Sequence, residues 1–266
     1  MLNNLKGNLN RILSRSKLTH KIWSDAVYKE QFSIGRMNTN ELRDILLKNY
    51  PLKYICPNEI LDLLALNLQS TVKKNSLNWV HGYILYSFIN DYMDKNSDKF
   101  ITFLETGTAR GFSATLVHKI LNMRCQNFQI ITIDLIGHHE KRYWNSLGDS
   151  NGRRTRKELI EFLDSSYTKN IFFLKGKSVK QIQKLNLDRI NIAFVDSVHD
   201  YATVIEEFRS IKRSQRLGDI IIFDDVVFEK YPGVFKAINE IKSTAEYNVK
   251  LLPLSSSRGF AIARRI

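Results

Sequence analysis

From Phe100 onward, short apolar runs alternate with stretches of helical periodicity. Residues 100–105, 129–134, 170–174, 190–196, 219–224, 248–252 and 259–264 read as strands, rich in β-branched and aromatic side chains and bounded by turn formers. Helical spacing of apolar positions marks residues 114–123, 154–165, 179–185, 202–214 and 234–243. Three of the strands, I-I-T-I-D, I-N-I-A-F-V-D and D-I-I-I-F-D-D, are almost continuously apolar. Such strands are buried on both faces, so helices should cover both sides of the sheet. The last two strands follow one another with no helix between them, which predicts an antiparallel hairpin at the sheet edge. The pattern predicts an open, mostly parallel α/β sheet of seven strands with an antiparallel last strand.

Residues 1–99 read differently, as a helical N-terminal extension to a domain spanning 100–266. Helices are expected around 39–48, 58–70 and 77–93, punctuated by Pro51 and Pro57, with Asn58 as a cap before Glu59. The 77–93 segment is apolar on nearly every face, so it should pack on the sheet domain or against a second copy of the chain. The first thirty residues are basic and weakly patterned, consistent with a mobile arm or a docking helix.

Composition narrows the class. The 266 residues are 43% hydrophobic and 25% charged, enough for a full core. Only Cys56 and Cys125 are present, in no metal or redox spacing, which suits a reducing, cytoplasmic setting. The N-terminus shows no signal-peptide core, and the longest uncharged, apolar-rich run, residues 76–90, is too short to span a bilayer. Net charge is +13 and spread along the chain. One cluster, Lys141, Arg142, Arg153, Arg154, Arg156 and Lys157, reads either as a solvated loop and helix start or as a site for an anionic substrate. No aromatic interleaving accompanies it, so nucleic acid is not the expected partner.

The chemistry begins in F-I-T-F-L-E-T-G-T-A-R-G-F-S, residues 100–113. A strand ends on Glu105, a turn follows with Gly107, Ala109 and Gly111, and a helix opens at Ser113. Glycines let backbone approach a ligand closely, and the helix start offers free N–H groups. Glu105 is wrong for a phosphate but right for a positively charged ligand. Asp134 ends the next strand, where a carboxylate can accept both hydroxyls of a ribose. The glycine spacing is not G-x-G-x-x-G, which counts against a dinucleotide. S-adenosylmethionine, with a ribose, no phosphate and a cationic sulfonium, suits the E-x-G-x-x-x-G turn better. In L-K-G-K-S, Gly176 and Ser178 follow the third strand, where such sheets reach an adenine. Tyr143 and Trp144 would stack on adenine or sugar, or serve local packing.

A second constellation pairs F-V-D-S-V-H-D-Y (194–201) with I-I-F-D-D-V (221–226). Asp196, Asp224 and Asp225 should end neighbouring strands. Three carboxylates brought together repel, and one protonates unless a cation offsets them. Mg²⁺, or another hard divalent ion such as Mn²⁺ or Ca²⁺, would resolve the conflict through oxygen ligands. Asp200 reads as the N-cap of the following helix. His199 lies beside the expected ion and suits a general base or a substrate contact. His138 and His139 are placed to line a substrate mouth; His20, His81 and His118 carry weaker signals.

These motifs together resemble class I S-adenosylmethionine-dependent methyltransferases, a Rossmann-like fold. The likeness is greatest to metal-assisted O-methyltransferases of small molecules and sugars, similar to the macrocin and catechol O-methyltransferase groups. It rests on E-T-G-T-A-R-G-F-S, I-T-I-D, F-V-D-S-V-H-D-Y, G-D-I-I-I-F-D-D-V and R-G-F-A-I-A-R-R. The resemblance implies Glu105, Gly107, Ala109 and Gly111 around the methionine moiety, Asp134 on the ribose and Ser178 near adenine. It implies Asp196, Asp224 and Asp225 on the metal, His199 as base and a small-molecule or sugar hydroxyl as acceptor. The catechol group usually carries Asp-Asn where this chain has Asp224-Asp225. The sugar-directed group often has a glycine and an acid where Ser197 and Val198 stand. Two rival readings remain. A nucleic-acid methyltransferase would usually show an N/D-P-P-Y/F loop where this chain has D-S-V-H-D. An assembly protein keeping only the fold would not need the acidic rim.

Overall fold

The computed structural model describes residues 22–124 and 127–266. His20, Cys125 and the arm expected at the N-terminus as far as residue 21 lie outside the described residues. One sheet of seven strands runs through the molecule in the order β3-β2-β1-β4-β5-β7-β6. β1 (Ile101–Thr106), β2 (Phe128–Asp134), β3 (Ile171–Lys175), β4 (Ile192–Val195) and β5 (Ile220–Phe223) are parallel. β7 (Arg258–Arg265) lies antiparallel between β5 and β6 (Tyr247–Ser255), as the missing crossover helix predicted. Strand order reverses between β1 and β4, which is where open α/β sheets bind ligands.

Alternation along the strands divides the core into two layers. Ile101, Phe103, Ile130, Ile192 and Phe194 point to one face. Leu104, Ile131, Ala193, Val195 and Ile221 point to the other. The second face is covered by α6 (Ser178–Leu185), α7 (Tyr201–Lys212) and α8 (Pro232–Ser243). The first carries α4 (Phe112–Arg124) and the short α5 (Arg156–Glu161), together with α1 (Asp25–Asn49), α2 (Asn58–Leu68) and α3 (His81–Lys95). The helical extension therefore shares one core with the sheet. A polar knot ties it down at the opposite edge: Tyr92 on α3 donates to Asp98 at 2.7 Å and to Asp219 at 2.9 Å, and Arg189 joins the same two carboxylates. Among the described residues, no helix is long and apolar enough to cross a membrane.

Several boundaries differ from expectation. α1 begins at Asp25, well before residue 39. Its buried positions are Tyr28, Gly35, Thr39 and Leu46, a single narrow seam in which two members are not apolar. Gly35 is required there, because an added Cβ would meet the Trp79 ring at 2.5 Å. The helix expected over 154–165 is only α5, opened by a Thr155–Glu158 capping box, and a 3₁₀ turn, Ser165–Thr168, follows it. Asn58 is not a cap: it is the first residue of α2, and its side chain accepts a hydrogen bond from the Tyr83 hydroxyl at 2.5 Å.

Candidate functional site

The turn after β1 is built by close packing of backbone. Gly107 has φ +95°, and a Cβ there would stand 1.9 Å from the Asp196 carbonyl oxygen. Gly111, at φ +92°, would press a Cβ against the Ile160 side chain at 2.7 Å. Ala109 between them takes a left-handed φ of +47°. The glycines thus seat the turn against β4 and α5, which fixes the open N-terminus of α4 over the switch point.

Glu105 lies beneath this turn, fully buried, and accepts hydrogen bonds from the hydroxyls of Ser113 and Thr132. Burial pushes its carboxyl up to about 7, and the two hydroxyls pull the other way. Asp134, one strand over, accepts from the Ala109 N–H at 2.7 Å and the Ile136 N–H at 2.9 Å. Arg156 completes the clamp: it donates to Asp134 at 3.2 Å and to the Ala109 carbonyl at 2.8 Å. The carboxylate is held in one orientation beside the turn, with Oδ1 keeping room for one further hydrogen bond from a ligand hydroxyl.

Arg156 is the residue the sequence misplaced. It belongs to the basic cluster but is only 1% exposed. The rest of the cluster is also engaged locally. Arg142 and Arg154 pair through their backbones, and the Arg142 and Arg156 guanidinium groups each lie 5.4 Å from the Trp144 ring. Trp144 is buried, with its N–H on the Arg154 carbonyl at 2.7 Å, so it packs the loop from within. Ser178 opens α6, and Ser197 donates at 2.6 Å to Glu207, a fully buried acid of α7 that no motif had singled out. Gly176, at φ +150°, lies two residues before Ser178. His138 and His139 line a cavity of about 700 Å³ beside β3, with Lys175 and Phe173, on the far side of Asp134 from the acidic cluster.

That cluster forms just beyond β4 and β5. Asp200 is the N-cap of α7, accepting from the Thr203 N–H at 2.9 Å, as its position predicted. The three expected metal ligands are divided between two cations of the chain itself. Arg258, the first residue of β7, places Nη1 2.7 Å from Asp225 and 2.9 Å from Asp224, and Nη2 donates to the second Asp224 oxygen at 2.9 Å. His199 Nε2 stands 3.0 Å from the other Asp225 oxygen and 3.5 Å from Asp196. The ring of His199 stacks on Tyr231 at 4.4 Å. Burial lowers the His199 pKa, but the two carboxylates outweigh it and carry it up to about 10. Burial raises Asp196 and takes Asp224 up to about 8, against the pull of His199 and Arg258 respectively. Asp225, with both cations beside it, is held below the ordinary carboxylate range despite burial.

A single ion bound by Asp196, Asp224 and Asp225 does not fit this arrangement, because both Asp224 oxygens face a guanidinium. One ligand atom each from Asp196, His199 and Asp225 does fall within 4.8 Å of the others. The Arg258 role was hidden in the R-G-F-A-I-A-R-R run, which was read as a strand over 259–264 and as part of the family resemblance, with no role for Arg258. The partnership with Asp224 spans 34 positions of sequence and has no local signature.

Residues 104–226 match a family model described as a methyltransferase domain. A search of curated proteins found no match. Solved structures similar to this one include a Klebsiella pneumoniae protein described as an O-methyltransferase, with a TM-score of 0.59 and 18% identity over 84% of this chain and 94% of that one. A Bacillus cereus O-methyltransferase in complex with SAH gives a TM-score of 0.56 and 15% identity over 83% and 95% of the two chains. The TDP-rhamnose 3′-O-methyltransferase CalS11 gives 0.53 and 16% over 86% and 93%.

Proposed function

We propose that the chain, whose residues 104–226 match a model described as a methyltransferase domain, transfers a methyl group from S-adenosylmethionine to a hydroxyl of a small molecule or sugar. The observation that carries the cofactor half is the Asp134 carboxylate, clamped by Ala109 and Arg156 beside a tight turn at the strand-order switch. Asp134 would take the ribose hydroxyls, the β1–α4 turn would hold the methionine moiety, and the loop Gly176–Lys177–Ser178 would border the adenine. The cofactor supplies an electrophilic methyl on a sulfonium.

The acceptor half rests on Asp196, His199 and Asp225. Asp196 is the most open of the three side chains, at 33% exposure. Its carboxyl, raised by burial against the pull of His199, is a stronger proton acceptor than an ordinary carboxylate. His199, charged between two carboxylates, holds Asp196 in place and keeps it ionised when the acceptor hydroxyl arrives. Asp196 then receives the hydroxyl proton as the oxygen takes the methyl, and His199 steadies the shared proton. Positioning and this electrostatic setting are the chain's contributions to rate. Lys73 is drawn down to about 8 by desolvation and by the nearby cations Arg258, Arg110 and Lys230. That positive rim favours an acceptor bearing negative charge.

Isothermal calorimetry with S-adenosylhomocysteine tests the reading. The protein should bind it, and Asp134→Ala should weaken binding by about 10- to 100-fold, the worth of charge-assisted hydrogen bonds. Unchanged affinity in Asp134→Ala would refute the ribose assignment. His199→Gln should leave that affinity intact while methyl transfer to a sugar or phenolic acceptor falls by about 10²- to 10⁴-fold. Equal loss of both would mean that His199 supports the fold and not the chemistry.

A further inference from the structure

We infer that the Arg258 guanidinium occupies the place of the divalent cation that clustered carboxylates of this kind require, so that the site works without a bound metal. The inference rests on the transferase reading for its meaning, but its evidence is the geometry around one side chain. The planar fork of Arg258 bridges Asp224 and Asp225 through contacts of 2.7, 2.9 and 2.9 Å, a match that a guanidinium makes well and an ammonium does not. Its side chain is only 12% exposed, and its guanidinium carbon lies 4.8 Å from the Phe260 ring. From the other side His81, fully buried on α3 and stacked on Phe194, brings Nδ1 to 3.3 Å of Nη2. Burial and the nearby cations Arg258 and Lys73 keep that imidazole neutral, so it accepts from Arg258. The guanidinium is therefore built into the site by three elements: β7, the β5 loop and the helical extension.

The remaining donor set, Asp196, His199 and Asp225, is closed by His199 itself, whose Nε2 faces both carboxylates. An ion entering there would have to displace the proton of His199 and share Asp225 with a fixed positive charge on its other oxygen. Two internal cations thus satisfy the acids that a sequence reading assigns to magnesium.

Electron paramagnetic resonance of Mn²⁺, titrated into the protein saturated with S-adenosylhomocysteine, tests this directly. The wild-type chain should leave millimolar Mn²⁺ free in solution, and its melting temperature should be the same in EDTA and in Mg²⁺. Arg258→Met opens the space and should bind about one Mn²⁺ per chain, with Mg²⁺ raising its melting temperature. Stoichiometric Mn²⁺ binding by the wild type overturns the inference. So does a folded Arg258→Met that ignores the ion. Should that variant fail to fold, the wild-type titration still decides, and Arg258→Gln, which stays polar but removes the charge, provides a second test with the same expected gain of binding. Calorimetric binding of S-adenosylhomocysteine is read independently, so loss of the cofactor assignment and loss of the metal-free assignment give different results.

Discussion

Gly107→Ala should unfold the site outright. The added methyl would lie 1.9 Å from the Asp196 carbonyl oxygen, and the atom it meets is backbone, so no rotamer change relieves the clash. The residue must also hold φ +95°, which an alanine resists. Either the turn lifts away from β4 or β4 shifts from β1, and both motions separate Asp196 from the β1–α4 turn. We expect a loss of about 4 kcal/mol in urea unfolding, at the upper end for one substitution, and no measurable binding of S-adenosylhomocysteine. Gly152→Ala is the matching control. Its φ of +113° is equally unfavourable, but nothing lies within 4 Å of the added carbon, so it should lose only about 1 kcal/mol. Similar losses from the two variants would show that backbone conformation, and not contact with Asp196, makes Gly107 necessary.

Glu105→Gln should move stability and cofactor affinity in opposite directions. The carboxyl is fully buried and its pKa rises from 4.5 to about 7, chiefly through burial. A group whose folded pKa lies above its unfolded value binds its proton more tightly in the folded state. Its contribution is fully present below 4.5 and is lost as pH climbs through about 7. Above that range the ionised side chain opposes folding by about 3 kcal/mol. Glutamine keeps one acceptor for these hydroxyls, turns its NH2 as donor to the oxygen of the other, as the protonated acid does with its O–H, and never ionises. The variant should therefore match the wild type in acid and exceed it by up to about 3 kcal/mol above neutrality. Its affinity for S-adenosylhomocysteine should fall, since the ligand's ammonium group would lose a negative charge beneath the turn. Urea titrations on either side of the transition check the first part, and calorimetry the second. A variant less stable than wild type at every pH would mean that Glu105 is held ionised by contacts stronger than its burial.

Sequence and structure agree where chemistry is local. The seven strands were visible because buried parallel strands need unbroken apolar runs, and the acids that end them sit on one rim for the same topological reason. Legibility failed where a contact joins distant parts of the chain. The first half of α1 went unseen because Gly35 and Thr39 occupy its buried seam; the helix needs close approach to Trp79 there, and hydrophobic periodicity does not record it. Arg156 and Arg258 were missed for a related reason. A basic residue looks solvated until the fold shows the carboxylate waiting for it. The acids of the rim were read as ligands of a divalent ion, whereas the fold brings Arg258 and His199 to them. What the sequence could not tell was that the chain carries that charge itself.

The insertion of β7 between β5 and β6 has a consequence for how the protein matures on the ribosome. β7 follows every other described strand in the chain, yet it sits inside the sheet and its first residue is Arg258. A nascent polypeptide can assemble β1 to β5 while β7 is still in the exit tunnel. Asp224 and Asp225 then wait at a bare strand edge, mutually repelling, until the final hairpin closes over them. The counter-charge of Asp224 and Asp225 arrives with the strand that inserts between β5 and β6.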